Sequence, residues 1–360
     1  MTRVRSIPFA LYDISLLGFT VALSLWGVLA VASAAPDDRF WQAQLIWWGI
    51  AAGVASVFQV FRRKSIFDLA YPLYIVSLLL LSLVLVFGET INGAKAWLIL
   101  GPFSFQPSEL AKIGLLLAMA QLLREKTLVG WRDYLAPLAL ALPAIGLVAA
   151  EPDLGGALVM SAMTFGVLFI RGLPTRHILI AGIAGLLLIP VIWPHLEPYQ
   201  QQRVMVIFDP AADPLGAGYQ VTQSMIAVGS GGVFGKGYGA GSQTQLGYIP
   251  LRHSDFIFAV ISEETGLIGA SLLLLLFAGL FYRLAAMAGE AREVRDHMVI
   301  GGVMTLLGFQ VLVNVAVVLG LAPVTGITLP FISYGGTSLV ITYLAIAIAL
   351  VLHRDRYIAF

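Results

Sequence analysis

Asp255 is the residue of this chain best placed to do chemistry. It ends the polar stretch Gly241-Ser-Gln-Thr-Gln-Leu-Gly-Tyr-Ile-Pro-Leu-Arg-His-Ser-Asp255 and is followed at once by the apolar run that begins Phe256-Ile-Phe258. Its carboxylate therefore sits where water gives way to hydrocarbon, a costly position usually kept for function. A carboxylate there can take a proton or hold a cation. Arg252 and His253 precede it directly, and Arg203 and Lys236 lie upstream in the same loop.

The elements that must position Asp255 follow from composition. At 59% hydrophobic and 11% charged residues, with a mean hydropathy of +0.90 over 360 residues, the chain has too little polar surface for a water-soluble globule. A polytopic membrane protein is expected. The absence of Cys removes disulfides, thiolate nucleophiles and Cys-ligated metals.

Ten apolar runs are long enough to serve as spans, near 11–34, 41–61, 68–88, 108–123, 134–150, 155–170, 178–194, 256–282, 298–321 and 336–352. The fold expected is an all-α integral membrane protein, a single polytopic domain over 1–360 with about ten transmembrane helices. Ten spans put both termini on one side. They also sort the basic residues: fifteen of the 21, among them Arg3, Arg5, Arg62, Arg63, Lys64, Arg283, Arg354 and Arg356, fall on that side. Only Arg39, Lys95, Arg203, Lys236 and Arg252 fall on the other, and Lys112 lies within a span. The positive-inside rule then makes both termini cytoplasmic and Asp255 extracytoplasmic. Asp37, Asp38, Glu89, Glu151, Asp153, Glu197, Asp209 and Asp213 join Asp255 on that outer face.

Three outer regions and one at or near membrane depth carry the unusual sequence. In the first, Ser108 starts the fourth span and Glu109 and Lys112, three apart, share a helix face. They are expected to pair and hold the helix in register, or to face a polar cavity. Lys95 and Trp97 stand just upstream as ligand contacts, with interfacial anchoring the other reading of Trp97. The second region is the turn Glu151-Pro-Asp-Leu-Gly-Gly156, where Asp153 caps the sixth span or, with Glu151 and Asp255, coordinates a divalent cation, Mg or Mn. The third is the long loop of about 195–255 between spans seven and eight, whose glycines permit close backbone approach to a ligand. No Gly-Lys-Ser/Thr follows, so it is not a nucleotide-binding loop. Beyond it, Glu263 and Glu264 lie about 12 Å further along the eighth span, near mid-membrane, with Lys112 the nearest partner by depth. The fourth region, about 322–336, breaks helix with Pro323, Pro330 and glycines and reads as a re-entrant wall of the site.

The segments Phe105-Gln-Pro-Ser-Glu-Leu-Ala-Lys112, Gly229-Ser-Gly-Gly-Val-Phe-Gly-Lys-Gly237, Arg252-His-Ser-Asp-Phe-Ile-Phe258 and Pro323-Val-Thr-Gly-Ile-Thr-Leu-Pro-Phe-Ile-Ser-Tyr-Gly-Gly-Thr-Ser338 resemble, in this order, the SEDS family of bacterial cell-wall proteins. The run before Asp255 looks more like its elongation branch, RodA, than its division branch, FtsW. Ser254 and Leu251 stand where the family commonly has Thr and Glu. The resemblance implies a peptidoglycan glycosyltransferase of the bacterial inner membrane. It would polymerise lipid II into β-1,4 glycan during cell elongation, beside a class B penicillin-binding protein, with Asp255 catalytic. Lys95, Trp97, Arg203, Lys236, Arg252 and His253 are then candidate substrate contacts, and Glu109, Lys112, Asp153, Glu263 and Glu264 structural polar groups. No nucleic-acid partner is expected. A lipid II flippase and a non-catalytic scaffold are the alternative readings, since broken helices and intramembrane charge also describe transporters.

Overall fold

The computed structural model describes residues 13–356 apart from 37, 92–93, 102, 127, 129, 196–197 and 211–212. Arg3, Arg5, Asp37 and Glu197 of the charge tally thus lie outside the described residues. In chain order the first helices are α1 (Ile14–Ala34), α2 (Phe40–Phe58), the short α3 (Arg63–Asp68), α4 (Ala70–Phe87), α5 (Pro107–Leu122), α6 (Leu135–Ala150), α7 (Leu154–Ile170) and α8 (Thr175–Ile192). Then come α9 (Pro198–Met205), α10 (Ala217–Ser230), the single turn α11 (Ser242–Gln245), α12 (Ile257–Gly289), α13 (Val294–Val318) and α14 (Gly336–Asp355). Each apolar run of the sequence is one of these helices, because a segment in hydrocarbon can satisfy its N–H and C=O groups only internally. Among the described residues six are long and apolar enough to cross a membrane: α1, α4, α6 with its preceding turn, α12, α13 and α14.

The all-α expectation needs one correction. Strands β1 (Glu89–Ile91), β2 (Ala94–Leu100) and β3 (Phe103–Phe105) form an antiparallel sheet in the order β1-β2-β3, pairing Glu89 with Trp97 and Leu98 with Phe105. Branched and aromatic residues favour extended backbone here. The Thr337 hydroxyl donates to the Ser104 carbonyl at 3.0 Å and ties β3 to the start of α14.

The 195–255 region is also more ordered than a glycine-rich loop suggests, since α10 alone runs for 14 residues. From α10 the chain turns back onto α12 and enters its hydrogen-bond ladder. Gly266 leaves helical geometry (φ 64, ψ −163). Around it the Lys236 and Gly237 N–H groups donate to the Glu263 and Glu264 carbonyls at 3.0 Å each, and the Leu267 and Ile268 N–H groups donate to the Gly232 and Val233 carbonyls at 2.9 and 3.2 Å. Loop and helix are spliced, each satisfying the groups the other leaves open.

This splice corrects the expected depth of Glu263 and Glu264. α12 is 33 residues long, about 50 Å, well beyond a ~30 Å hydrocarbon core. The Ser33 hydroxyl, in the last turn of α1, donates to Glu264, so the double acid lies near the Asp255 end of the bundle and not midway through it. Lys112 is not its partner either. Lys236 pairs with Glu263 at 2.7 Å, and the Gln243 and Thr244 N–H groups and the Thr244 hydroxyl add three bonds at 2.9, 3.1 and 2.8 Å.

α5 is the central helix, buried over most of its length against α4, α6, α7, α13 and α14. The backbone of 322–335 is irregular and largely buried between α13 and α14. It packs so closely on α7 that a Cβ on Gly155 would come within 2.5 Å of the Thr325 carbonyl oxygen. At the opposite end from Asp255, ion pairs knit the helix ends together. Arg63 meets Asp296 at 2.9 Å, Arg354 meets Asp355 at 2.8 Å, and Glu290 holds Arg356 at 2.6 Å and His353 at 2.9 Å.

Candidate active site

Asp255 sits half-buried at the mouth of α12, in the short stretch 251–256 between α11 and that helix. Its main chain is clamped from three points. The Asn314 amide of α13 donates to the Asp255 carbonyl at 2.9 Å and to the Ile327 carbonyl at 2.8 Å. The Ser333 hydroxyl donates to the Ser254 carbonyl at 2.7 Å, and the Tyr334 N–H to the His253 carbonyl at 2.9 Å. The irregular 322–335 segment is thus the surface against which Asp255 is set, and Gly326 faces its carboxylate, the position of an added Cβ lying 3.9 Å from Oδ2. Burial pushes the Asp255 carboxyl above the usual carboxylate range, while the Ser254 hydroxyl and the Arg203 charge act the other way. A base tuned upward in this manner moves toward the pH at which it must work.

Of the basic residues expected around it, one acts on Asp255. Arg203 of α9, its guanidinium 5.5 Å from the centre of the Tyr199 ring, places its charge on both Asp255 and Asp153. The other three are engaged elsewhere. Lys95 donates to the Leu85 and Val86 carbonyls at 2.9 and 3.0 Å and so caps the last turn of α4. Lys236 is held by Glu263. Arg252 donates through Nε to the Ala34 carbonyl at the end of α1. Trp97 is a half-buried residue of β2. His253 stacks on Phe40 with ring centres 4.3 Å apart and meets the Tyr334 ring edge-on at 5.8 Å. Burial and the neighbouring Arg252 charge lower its pKa, against the Asp38 charge, and so favour the neutral imidazole, which is walled in by aromatics.

A second polar layer extends from Asp153. Its carboxylate caps α7 through the Gly156 N–H at 2.8 Å, and the Gln106 amide reaches it at 3.4 Å. Burial raises the Asp153 pKa; the Gly156 N–H, Lys112 and Arg203 oppose that rise. Lys112 pairs with Glu109 at 2.7 Å, both buried in α5. Sequence reasoning missed three contributors. Asn314 and Ser333 act on main chain, which no side-chain pattern announces. Gln106 stood within a quoted motif without a role. Among the described residues no three of His, Cys, Asp and Glu gather as a metal-holding set, and the charge acting on Asp255 is itself cationic.

Glu151 is wholly buried with neither carboxylate oxygen partnered among the described residues, and burial with the Asp153 charge pushes its pKa from 4.5 up to about 8. Between those two values the folded chain keeps this proton and the unfolded chain releases it, so stability falls as pH rises through the window. Glu151→Gln removes that slope. The melting temperature of the variant in detergent, minus that of the parent, should climb from pH 5 to pH 8; a difference independent of pH contradicts the assignment.

Comparison with known proteins gives a consistent picture. The FtsW/RodA/SpoVE cell cycle protein model matches residues 5–358. The peptidoglycan glycosyltransferase MrdB of Escherichia coli K12 is 38% identical over 347 residues, covering 96% of this chain and 94% of that protein. The stage V sporulation protein E of Bacillus subtilis is 36% identical over 374 residues, covering 99% of each. Among solved structures, a chain of a peptidoglycan synthase complex that coordinates polymerization and crosslinking superposes with a TM-score of 0.86 at 43% identity, over 97% of this chain and 99% of that one. The rod shape determining protein RodA of Thermus thermophilus, in a D255A mutant form, gives 0.76 at 40% identity with the same coverage.

Proposed function

The chain belongs to the FtsW/RodA/SpoVE family, and from that premise we propose that Asp255 is the base with which it polymerises peptidoglycan. It is a peptidoglycan glycosyltransferase of the SEDS type, acting on lipid II beside a class B penicillin-binding protein. All ten apolar helices cross the bacterial inner membrane, with both termini in the cytoplasm and the Asp255 end outside. Two facts support that orientation. The ion-paired end of the bundle gathers Arg63, Arg283, Arg295, Arg354 and Arg356, and the Asp255 end holds Asp153, Asp255, Glu263 and Glu264.

The observation that carries the mechanism is the triple clamp on Asp255 combined with the reach of Arg203. A sugar 4-hydroxyl loses its proton to the Asp255 carboxylate as its oxygen attacks the anomeric carbon of a second lipid II. The C–O bond to undecaprenyl diphosphate breaks from the opposite face, which converts an α linkage to β-1,4. Arg203 is positioned to meet the charge growing on the departing diphosphate. It also favours the ionised form of Asp255, so one guanidinium serves both ends of the transfer.

The purified chain with its penicillin-binding partner, given lipid II, should yield glycan strands resolvable by electrophoresis. Movement of labelled lipid II across liposomes without strands would favour the flippase, and neither activity would favour the scaffold.

A further inference from the structure

A crevice of about 350 Å³ opens between α1 and the Asp255-side portion of α12, sharing no lining residue with the site above. One wall is a single face of α1, where Ala22, Leu25, Trp26 and Leu29 recur at helical spacing. Leu25 and Leu29 are 47% and 58% exposed. Ile261 forms the other wall, and Tyr238 closes the rim with its hydroxyl donating to the Leu29 carbonyl at 3.0 Å. The α1 face from Ala22 to Ala30 is about 12 Å long and is apolar apart from the edge of the Trp26 indole.

At the head of this slot stands Glu264, 4% exposed. Its Oε1 accepts from the Gly239 N–H at 3.1 Å and from the Ser33 hydroxyl, and among the described residues its Oε2 has no partner. The nearest loop cation, Lys236, is already committed to Glu263. A buried carboxylate with an open oxygen calls for a donor, and a positively charged donor makes a hydrogen bond roughly twice as strong as a neutral one. An anionic head would meet repulsion there, and a neutral head would supply a hydrogen bond without charge. The volume lies within the range of small-ligand sites.

We propose that this crevice binds a single-chain membrane amphiphile with a primary ammonium head, Glu264 holding the head and the Ala22–Leu29 face of α1 the chain. The experiment uses the full chain in an uncharged detergent with three brominated dodecyl probes, an amine, an alcohol and a carboxylate. Trp26 quenching is isolated as the difference between the parent and W26F. The amine should quench saturably at a concentration about tenfold or more below the alcohol, the carboxylate should not saturate, and E264Q should bring the amine to the alcohol's level. Ala22→Phe, which fills the slot and leaves Glu264 in place, should remove saturable quenching by all three, so the outcome does not hang on how well E264Q folds. Equal binding of amine and alcohol, or an amine response unchanged in both variants, overturns the proposal.

Discussion

Asp255→Asn should cut glycan synthesis to a small residual rate while leaving a protein that folds, melts no lower than the parent and still co-purifies with its penicillin-binding partner. The three expectations have one source. The substituted amide keeps the shape of the side chain, and the clamps from Asn314, Ser333 and Tyr334 grip backbone carbonyls that the change does not touch. Burial raises the Asp255 pKa, so the folded state carries a desolvation cost for the ionised form and the neutral amide relieves it. Only proton transfer is lost, and a positioned base contributes about 10²–10⁴-fold. Strand yield from lipid II should therefore fall by at least about a hundredfold. With the parent enzyme the same raised pKa places the acidic limb of the pH–rate profile above the ordinary carboxylate range, and this limb should vanish in the residual rate of the variant. Strand synthesis at the parent level would remove Asp255 from the mechanism, and a lower melting point would show that its role is structural.

The second large effect is expected at the splice. Gly266→Ala asks an L side chain to adopt φ 64, ψ −163, a region that only glycine occupies readily and that costs about 1–3 kcal/mol on its own. The new Cβ would also fall 2.4 Å from the Gly235 nitrogen. That neighbour is backbone inside a hydrogen-bonded pairing and has no room to yield. Gly232→Ala is the control, since its φ of 55 is equally left-handed and nothing lies within 4 Å of an added Cβ. Gly266→Ala should lose most of its monodisperse yield in size-exclusion chromatography, and Gly232→Ala should lose little. Equal behaviour of the two would mean that the contact between loop and helix is dispensable.

The helices were legible because length and hydrophobicity suffice in hydrocarbon, and every apolar run of the sequence became one. The turn Glu151–Gly156 could be read equally well, since an Asp three residues before an N–H needs no distant partner to cap a helix. Contacts made by long side chains could not. Lys95 lies near Trp97 in sequence, yet the open carbonyls at the end of α4 decide where its ammonium goes. The depth of Glu263 and Glu264 was misjudged because the contacts that place them, from Ser33 at the end of α1 and from Lys236 and Thr244 of the loop, come from chain far away in sequence. α10 was obscured by the glycines that flank it, and β2 by the polar residues around it.

Asn314 joins the carbonyls of Asp255 and Ile327, and α14 follows directly after the segment that holds the latter. Of the six long apolar helices, α14 is also the most enclosed, 78% buried over its apolar window against 22–61% for the others. α14 is thus the helix that the rest close around. Whatever loosens α14 therefore also loosens the 322–335 backbone against which the carboxylate rests, so bundle packing and the seat of the carboxylate depend on one helix.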